Sequence, residues 1–184
     1  MKSVYKNKYK QVKDNNRTKF LEFEKLFDFV MKWEGGGKLH NVSGDVGGWT
    51  KYGIAYNYWK SIFNGLDDFK RLTEDEAKMF FYYEFYMEIE AYRLPCDVEL
   101  YAFDSAVNLG AKRVIKWLQV CGETMADGII GPKTRKSFEK VTLECMHRRR
   151  VEYYKRQAGR YASQKKFLKG WLNRANDAYN VSRS

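Results

Sequence analysis

Residues 34–37 read Glu-Gly-Gly-Gly, and residues 45–54, a short loop later, read Asp-Val-Gly-Gly-Trp-Thr-Lys-Tyr-Gly-Ile. Upstream, four apolar residues follow the i, i+3, i+4 and i+7 spacing of one helix face, and Glu34 is the next step on that face. These four are Phe23, Leu26, Phe27 and Val30. We therefore predict a helix over residues 18–34 that ends with an acid on its apolar side.

The position of Glu34 suits acid catalysis. Partial burial disfavours an ionised carboxylate, and the carbonyl end of a helix repels an anion. An acid that keeps its proton near neutral pH can protonate a departing oxygen. The alternative is a surface glutamate in a frayed last turn, and the helix and the glycines alone do not decide between the two.

The composition describes a basic globular protein. The chain has 184 residues, of which 44% are hydrophobic, so it is long enough for one compact domain with or without a packed subdomain. A net charge of +11 should attract a polyanion, such as nucleic acid, anionic lipid or bacterial cell wall. No nucleic-acid-binding motif is present, so nucleic acid is not expected as a partner.

The cysteines and histidines form no ligand pattern. Cys96, Cys121 and Cys145 are widely spaced without a CxxC pair, and His40 and His147 do not complete a metal site with them. We therefore expect buried free thiols, no metal and no cofactor. The chain has no run of 18 apolar residues and no apolar run behind its basic start, which predicts no stable membrane insertion, no signal peptide and synthesis in the host cytoplasm.

Short sequence patterns predict the remaining helices and strands of the N-terminal half. Residues 1–17 are a basic N-terminal extension, either a mobile arm or a short helix. Residues 38–54 are rich in Gly, Asn, Ser and Asp and then alternate, with Thr50, Tyr52 and Ile54 on one side, as in a short β-hairpin or an irregular loop. Thr73-Glu-Asp-Glu76 is a capping box that opens a helix to about residue 92.

The rest of the chain reads as helices. One covers residues 97–109 and ends at Gly110, and the next carries Val114 and Cys121 on its buried face. Pro132 begins a long helical region, because proline is tolerated in the first turn. The last helix contains Trp171.

Several segments together resemble the glycoside hydrolase family 108 lysozymes, which are bacterial and phage N-acetylmuramidases. They are Glu-Gly-Gly at 34–36, residues 47–54, Phe-Asp-Ser-Ala-Val-Asn-Leu-Gly at 103–110 and Trp-Leu-Gln at 117–119. Residues 127–134 and 169–174 resemble the peptidoglycan-binding-like helical module that forms the C-terminal part of proteins in this family.

The resemblance implies a mainly α, lysozyme-like helical fold with a small β-hairpin next to the catalytic Glu. It divides the chain into the extension 1–17, a lysozyme-like catalytic region 18–110 and a helical peptidoglycan-binding-like subdomain 111–184 packed on it. It further implies cleavage of the β-1,4 bond between N-acetylmuramic acid and N-acetylglucosamine, with Glu34 as the catalytic acid. The sequence departs from the family at Gly37, where an aromatic is common, and at Val46, where proline is usual.

Other site residues have two interpretations each. Asp45 is the nearest second carboxylate for glycoside hydrolysis, or it stabilises a glycine-rich turn. Thr50 orients a water molecule, or it is an ordinary strand residue. Trp49 and Tyr52 are platforms for sugar rings, or they belong to the packing.

Asp104 and Asn108 lie four residues apart on one helix face, where buried polar groups need partners. Either they bind substrate amide and hydroxyl groups, or they join their helix to the hairpin.

The sequence therefore predicts an endolysin-type muramidase that acts as a monomer on peptidoglycan glycan strands, on the cell-wall side of the membrane. A separate holin would give it access to the wall. A lytic transglycosylase would use the same single acid, and a non-catalytic cell-wall-binding module would use only the basic surface.

Overall fold

The computed structural model describes residues 1–15, 17–41 and 46–184, without the side chains of Tyr9 and residues 12–19. These residues form two units, residues 1–84 and residues 85–184. They are mainly helical, with one small antiparallel sheet in the first unit. The predicted fold class is therefore confirmed.

The first unit contains five α-helices, a short 3₁₀ helix at Lys60–Ile62 and the sheet among its described residues. The α-helices and strands are α1 Ser3–Asn15, α2 Arg17–Glu34, β1 His40–Asn41, β2 Trp49–Lys51, β3 Ile54–Ala55, α3 Tyr56–Trp59, α4 Leu66–Lys70 and α5 Glu74–Phe81. The sheet has the order β1-β2-β3, with both pairs antiparallel. The helix predicted over residues 18–34 is confirmed as α2.

The predicted apolar face of α2 forms the core of the first unit. Phe23, Phe27 and Val30 are buried. The ring of Phe27 lies edge-on to Phe81 of α5 at 5.6 Å, and Phe23 meets Tyr82 in the same way at 5.1 Å. Such edge-to-face contacts are a preferred geometry for aromatic pairs. This packing fixes the direction in which α2 runs to its last residue.

The basic extension is a helix, α1, and its beginning is held to the unit. The terminal ammonium of Met1 lies 2.8 Å from Asp68 Oδ2, and the Lys2 N–H donates to the Ile62 carbonyl at 2.9 Å. Lys6 forms an ion pair with Glu76 of α5. Of the two alternatives for this segment, the helix is therefore confirmed.

The capping box is confirmed, but the helix that it opens is shorter than predicted. The Thr73 hydroxyl accepts from the Glu76 N–H at 3.3 Å, and the Glu76 carboxylate accepts from the Thr73 N–H at 3.2 Å. The α-helix ends at Phe81 and passes into a π-helix, Tyr82–Met87. Glu90 then adopts a left-handed conformation (φ +49°), which no helix continues through.

The second unit is helical in its described residues. It contains α6 Cys96–Leu109, α7 Ala111–Cys121, α8 Pro132–Ser137, α9 Leu143–Arg160 and α10 Leu168–Ser182, with short 3₁₀ helices at Ala91–Arg93, Phe138–Lys140 and Ala162–Phe167. Gly110 (φ +88°) ends α6, and Pro132 begins α8, as predicted. The predicted long helix after Pro132 is interrupted, because Thr142 caps α9 by accepting from the Cys145 N–H.

The prediction of buried free thiols is wrong for all three cysteines. Cys121 at the end of α7 and Cys145 in α9 form a disulfide, with their Cα atoms 5.9 Å apart. Cys96 is a free thiol, but it is exposed. The sequence spacing does not indicate this pair, because the two residues come together only when α7 packs against α9.

Within the part of the chain that the structure describes, no helix is long and apolar enough to cross a membrane.

Candidate active site

Glu34 is the last residue of α2 and lies half-buried at the end of its apolar face. Gly35 (φ +77°) and Gly36 (φ +63°) follow it in left-handed conformations that glycine adopts without steric cost. The chain can therefore turn sharply away from the helix directly behind the carboxyl group. The glycine run thus ends α2, and the Glu34 side chain lies where the chain turns away from the helix.

The strands β2 and β3 are joined by a two-residue turn at Tyr52 and Gly53. Lys51 pairs with Ile54 across the turn, and both turn residues have positive φ, +52° and +72°. Two residues with positive φ are the mark of the tight hairpin turn that matches strand twist. The hairpin is confirmed, but the predicted alternation of Thr50, Tyr52 and Ile54 on one side is wrong, because the chain reverses at Tyr52.

The turn lies directly against Glu34. A Cβ atom at position 53 would be 2.8 Å from Glu34 Oε2 and 3.0 Å from its Cβ and Cγ atoms. The Tyr52 N–H donates to the Gly36 carbonyl at 3.1 Å, which fastens the turn to the end of α2. Only glycine at position 53 permits this approach.

The ring of Tyr52 explains the glycine at position 37, where the family commonly has an aromatic. A Cβ atom at Gly37 would be 2.7 Å from the Tyr52 ring and hydroxyl, so the ring occupies that space. Tyr52 is half-buried, and burial together with the negative charge of Glu74 raises its pKa. The Tyr52 hydroxyl is therefore a neutral hydrogen-bonding group at the turn.

Trp49 and Thr50 lie on β2, the strand that precedes the turn. Both are half-buried. The Thr50 hydroxyl donates to the Gly48 carbonyl at a long 3.4 Å. The Lys70 ammonium lies 4.9 Å from the centre of the Trp49 ring, a cation–π distance. Lys70 was not predicted from the sequence, because its approach to Trp49 depends on the packing of α4.

Asp45 lies outside the described residues, so its position relative to Glu34 stays a prediction. The chain just after it is held by Asn57, a residue that sequence reasoning missed. The Asn57 amide donates to the Val46 carbonyl at 2.8 Å, and its backbone N–H donates to the Gly47 carbonyl at 3.1 Å.

Among residues 1–15, 17–41 and 46–184, no group of three His, Cys, Asp or Glu side chains could hold a metal ion.

Asp104 does not have the exposure that a substrate-binding residue needs. Its side chain is fully buried, and its two oxygens accept from Arg150 at 2.7 Å and from Arg174 at 2.9 Å. The prediction that Asp104 contacts substrate is therefore wrong. Its partners belong to α9 and α10, so it joins three helices of the second unit.

Asn108, one turn further along α6, is half-buried and lines a cavity of the second unit. Its side-chain oxygen accepts a hydrogen bond from the Tyr154 hydroxyl. Unlike Asp104, it remains available to a ligand. Its predicted part in substrate binding stays a proposal.

Two family models match consecutive parts of the chain. Residues 27–110 match the model described as Glycosyl hydrolase 108, and residues 113–176 match the model described as Predicted Peptidoglycan domain.

Among solved structures, that of Brucella abortus SagA is similar, with a TM-score of 0.73 and 23% sequence identity. The alignment covers 90% of this chain and 94% of that chain, and at this identity it establishes a shared fold. No curated protein matches the chain. The two family matches identify residues 27–110 as a glycosyl hydrolase 108 domain and residues 113–176 as a peptidoglycan domain, so the chain is a glycoside hydrolase that acts on peptidoglycan.

Proposed function

We propose that this chain is an N-acetylmuramidase of the endolysin type in which Glu34 is the general acid. The observation that carries the proposal is the placement of Glu34 at the end of the buried face of α2, directly against the Tyr52–Gly53 turn. A general acid must reach its substrate and yet be held in one position. A half-buried carboxyl packed against a glycine of a tight turn meets both requirements.

The reaction would break the β-1,4 bond between N-acetylmuramic acid and N-acetylglucosamine. Glu34 donates its proton to the glycosidic oxygen as the bond from the anomeric carbon to that oxygen breaks. A water molecule then adds its oxygen to the anomeric carbon and passes a proton to Asp45 or back to the Glu34 carboxylate. In this proposal Asp45 supports the developing positive charge or activates the water, and Thr50 orients it.

The neighbouring aromatic residues are suited to hold the glycan. Trp49 lies on the strand before the turn and Tyr52 lies in the turn, and both are half-buried, so each keeps part of its surface accessible. Sugar rings present apolar C–H faces, which pack on aromatic side chains, and hydroxyl groups, which a tyrosine hydroxyl can bind. The net charge of +11 further favours attraction to an anionic wall.

The direct test is wall hydrolysis by Glu34→Gln, which keeps the size of the side chain and removes the transferable proton. We expect a loss of about 10²- to 10⁴-fold, the range that general acid catalysis contributes. Glu22→Gln is the matched control, because Glu22 is exposed on the same helix. A folded Glu34→Gln protein within about threefold of parental activity, far outside that range, contradicts the proposal.

Mass spectrometry of the products tests the reaction class. Hydrolysis leaves a reducing muramic acid end, whereas a lytic transglycosylase leaves a 1,6-anhydro end that is lighter by one water. Binding to walls without any product would identify a non-catalytic wall-binding module. The endolysin role, with a holin that gives access to the wall, belongs to the same proposal and is tested by expression with and without a holin.

A further inference from the structure

The second unit contains a cavity of about 430 Å³, and its lining residues all belong to that unit. The end of α6, the C-terminal half of α9, the following 3₁₀ helix and α10 form its walls. The lining residues are Asn108, Leu109, Tyr153, Tyr154, Gln157, Tyr161, Ser163, Gln164 and Trp171. The volume lies within the range typical of small-molecule sites.

The lining combines aromatic rings with neutral polar groups. Tyr154 and Trp171 stack with their ring centres 5.2 Å apart and 23° between their planes. Gln157 and Gln164 add amide groups to the wall, and none of the lining side chains carries a full charge at neutral pH. A neutral ligand with an apolar face and several hydroxyl or amide groups fits such a surface.

A buried hydrogen-bond chain fixes the orientation of Asn108. Arg150 donates from Nε to the Tyr154 hydroxyl oxygen at 3.0 Å and from Nη1 to Asp104 at 2.7 Å. Because a guanidinium group only donates, the Tyr154 proton is left to donate to the side-chain oxygen of Asn108. The amide nitrogen of Asn108 then points away from Tyr154 as a donor.

This donor direction is maintained over the physiological pH range. Burial raises the pKa of Tyr154, although the positive charge of Arg150 opposes the effect. The Tyr154 hydroxyl therefore keeps its proton, and Asn108 keeps its oxygen toward it. Among the described residues the Asn108 amide nitrogen has no protein acceptor, so it remains free to donate to a ligand in the cavity.

We infer that this cavity binds one N-acetylated pyranose unit, with the Asn108 amide nitrogen donating to the acetamido carbonyl and the aromatic wall covering a face of the sugar. The inference rests on the proposed function, in that the glycan is the same polymer that Glu34 would cleave. It adds a binding site, formed by residues of the second unit alone, that selects sugars carrying an acetamido group.

Binding of tri-N-acetylchitotriose to the Glu34→Gln protein tests the inference without hydrolysis of the probe. The readout is the indole N–H signal of Trp171 in a nitrogen-correlated NMR spectrum, assigned by its loss in Trp171→Phe. We expect the trisaccharide to shift this signal in a saturable way. Cellotriose, which has hydroxyls in place of acetamido groups, should bind about tenfold more weakly, the loss expected for one hydrogen bond.

The sharpest variant is Asn108→Asp, which keeps the acceptor for Tyr154 but removes the donor to the ligand. It should weaken binding of the trisaccharide about tenfold and abolish the preference over cellotriose. Asn176→Asp is the matched control, since Asn176 is exposed on α10 and does not line the cavity. The cellotriose comparison needs no variant and holds even if Asn108→Asp does not fold.

The experiments distinguish failure of the sugar-site inference from failure of the muramidase proposal. A Trp171 signal that does not respond to the trisaccharide, or equal affinity for both sugars, overturns the inference and leaves the role of Glu34 intact. Retained wall hydrolysis by Glu34→Gln overturns the muramidase proposal, while a saturable shift at Trp171 would still establish the sugar site.

Discussion

Gly53 lies so close to Glu34 that a Cβ atom at position 53 would be 2.8 Å from Glu34 Oε2. The contact joins the hairpin turn to the end of α2, and it depends on a residue without a side chain. Gly53 also has φ +72°, a conformation that other residues rarely adopt. The position of the proposed acid is therefore coupled to the conformation of the turn.

Gly53→Ala should displace the Glu34 carboxyl and reduce wall hydrolysis by about 10²-fold, as expected for a catalytic group moved by about 1 Å. It should also lower the free energy of unfolding by on the order of 1–3 kcal/mol, because alanine is strained at positive φ. Hydrolysis assays and urea unfolding measure the two effects separately.

Gly65→Ala is the control for backbone strain alone. Gly65 has φ +96°, but nothing lies within 4 Å of a Cβ atom built there. This variant should lose stability and keep its activity. Equal losses of activity in both variants would mean that strain, and not displacement of Glu34, explains the effect at position 53.

Asp104→Asn should destabilise the second unit strongly. The substitution keeps the shape of the side chain but removes the charge that Arg150 and Arg174 share in the interior. Removal of one partner of a buried ion pair costs about 3–5 kcal/mol, because the remaining charge is left uncompensated. Asp97→Asn, at an exposed position of α6, should cost less than about 1 kcal/mol. Similar unfolding free energies for the two variants would refute a structural role for Asp104.

We expect His147 to make the free energy of unfolding depend on pH below neutrality. Burial, and then the positive charge of Arg150, lower its pKa below the ordinary value of 6.5. The unfolded chain therefore binds the proton more readily than the folded chain, and the free energy of unfolding falls as the pH is lowered through about 6.5. The decrease continues until the folded pKa is passed.

Urea unfolding between about pH 7.5 and pH 5 measures this slope, since that window contains the unfolded pKa. His147→Gln should flatten it, whereas His40→Gln should not, because His40 is exposed. An unchanged slope in His147→Gln would assign the acid sensitivity to other groups.

Reduction of the Cys121–Cys145 disulfide should lower the melting temperature. The bond joins residues separated by 24 positions, and closing a loop of this size contributes about 3 kcal/mol in the chain-entropy model. A reductant should therefore destabilise the parent protein and the Cys96→Ser variant equally. It should have no further effect on a Cys121→Ser/Cys145→Ser variant, and a change there would show that reduction acts elsewhere.

The sequence was sufficient for features that depend on neighbouring residues. The apolar spacing from Phe23 to Val30 predicted α2 and placed Glu34 at its end. The capping box at Thr73 and the glycine at position 110 predicted one helix start and one helix end. These signals act over a single turn of helix, so they can be recognised without knowledge of the fold.

Other features required the tertiary structure. Asp104 binds Arg150 and Arg174, which are 46 and 70 residues away, and Gly53 meets Glu34 across a loop. The same holds for the pairing of Cys121 with Cys145. No local pattern specifies such contacts, because they arise only when packing of the apolar faces brings distant elements together. The sequence thus predicted which residues carry the chemistry, and packing decided which of them lie at the surface and which are buried in the core.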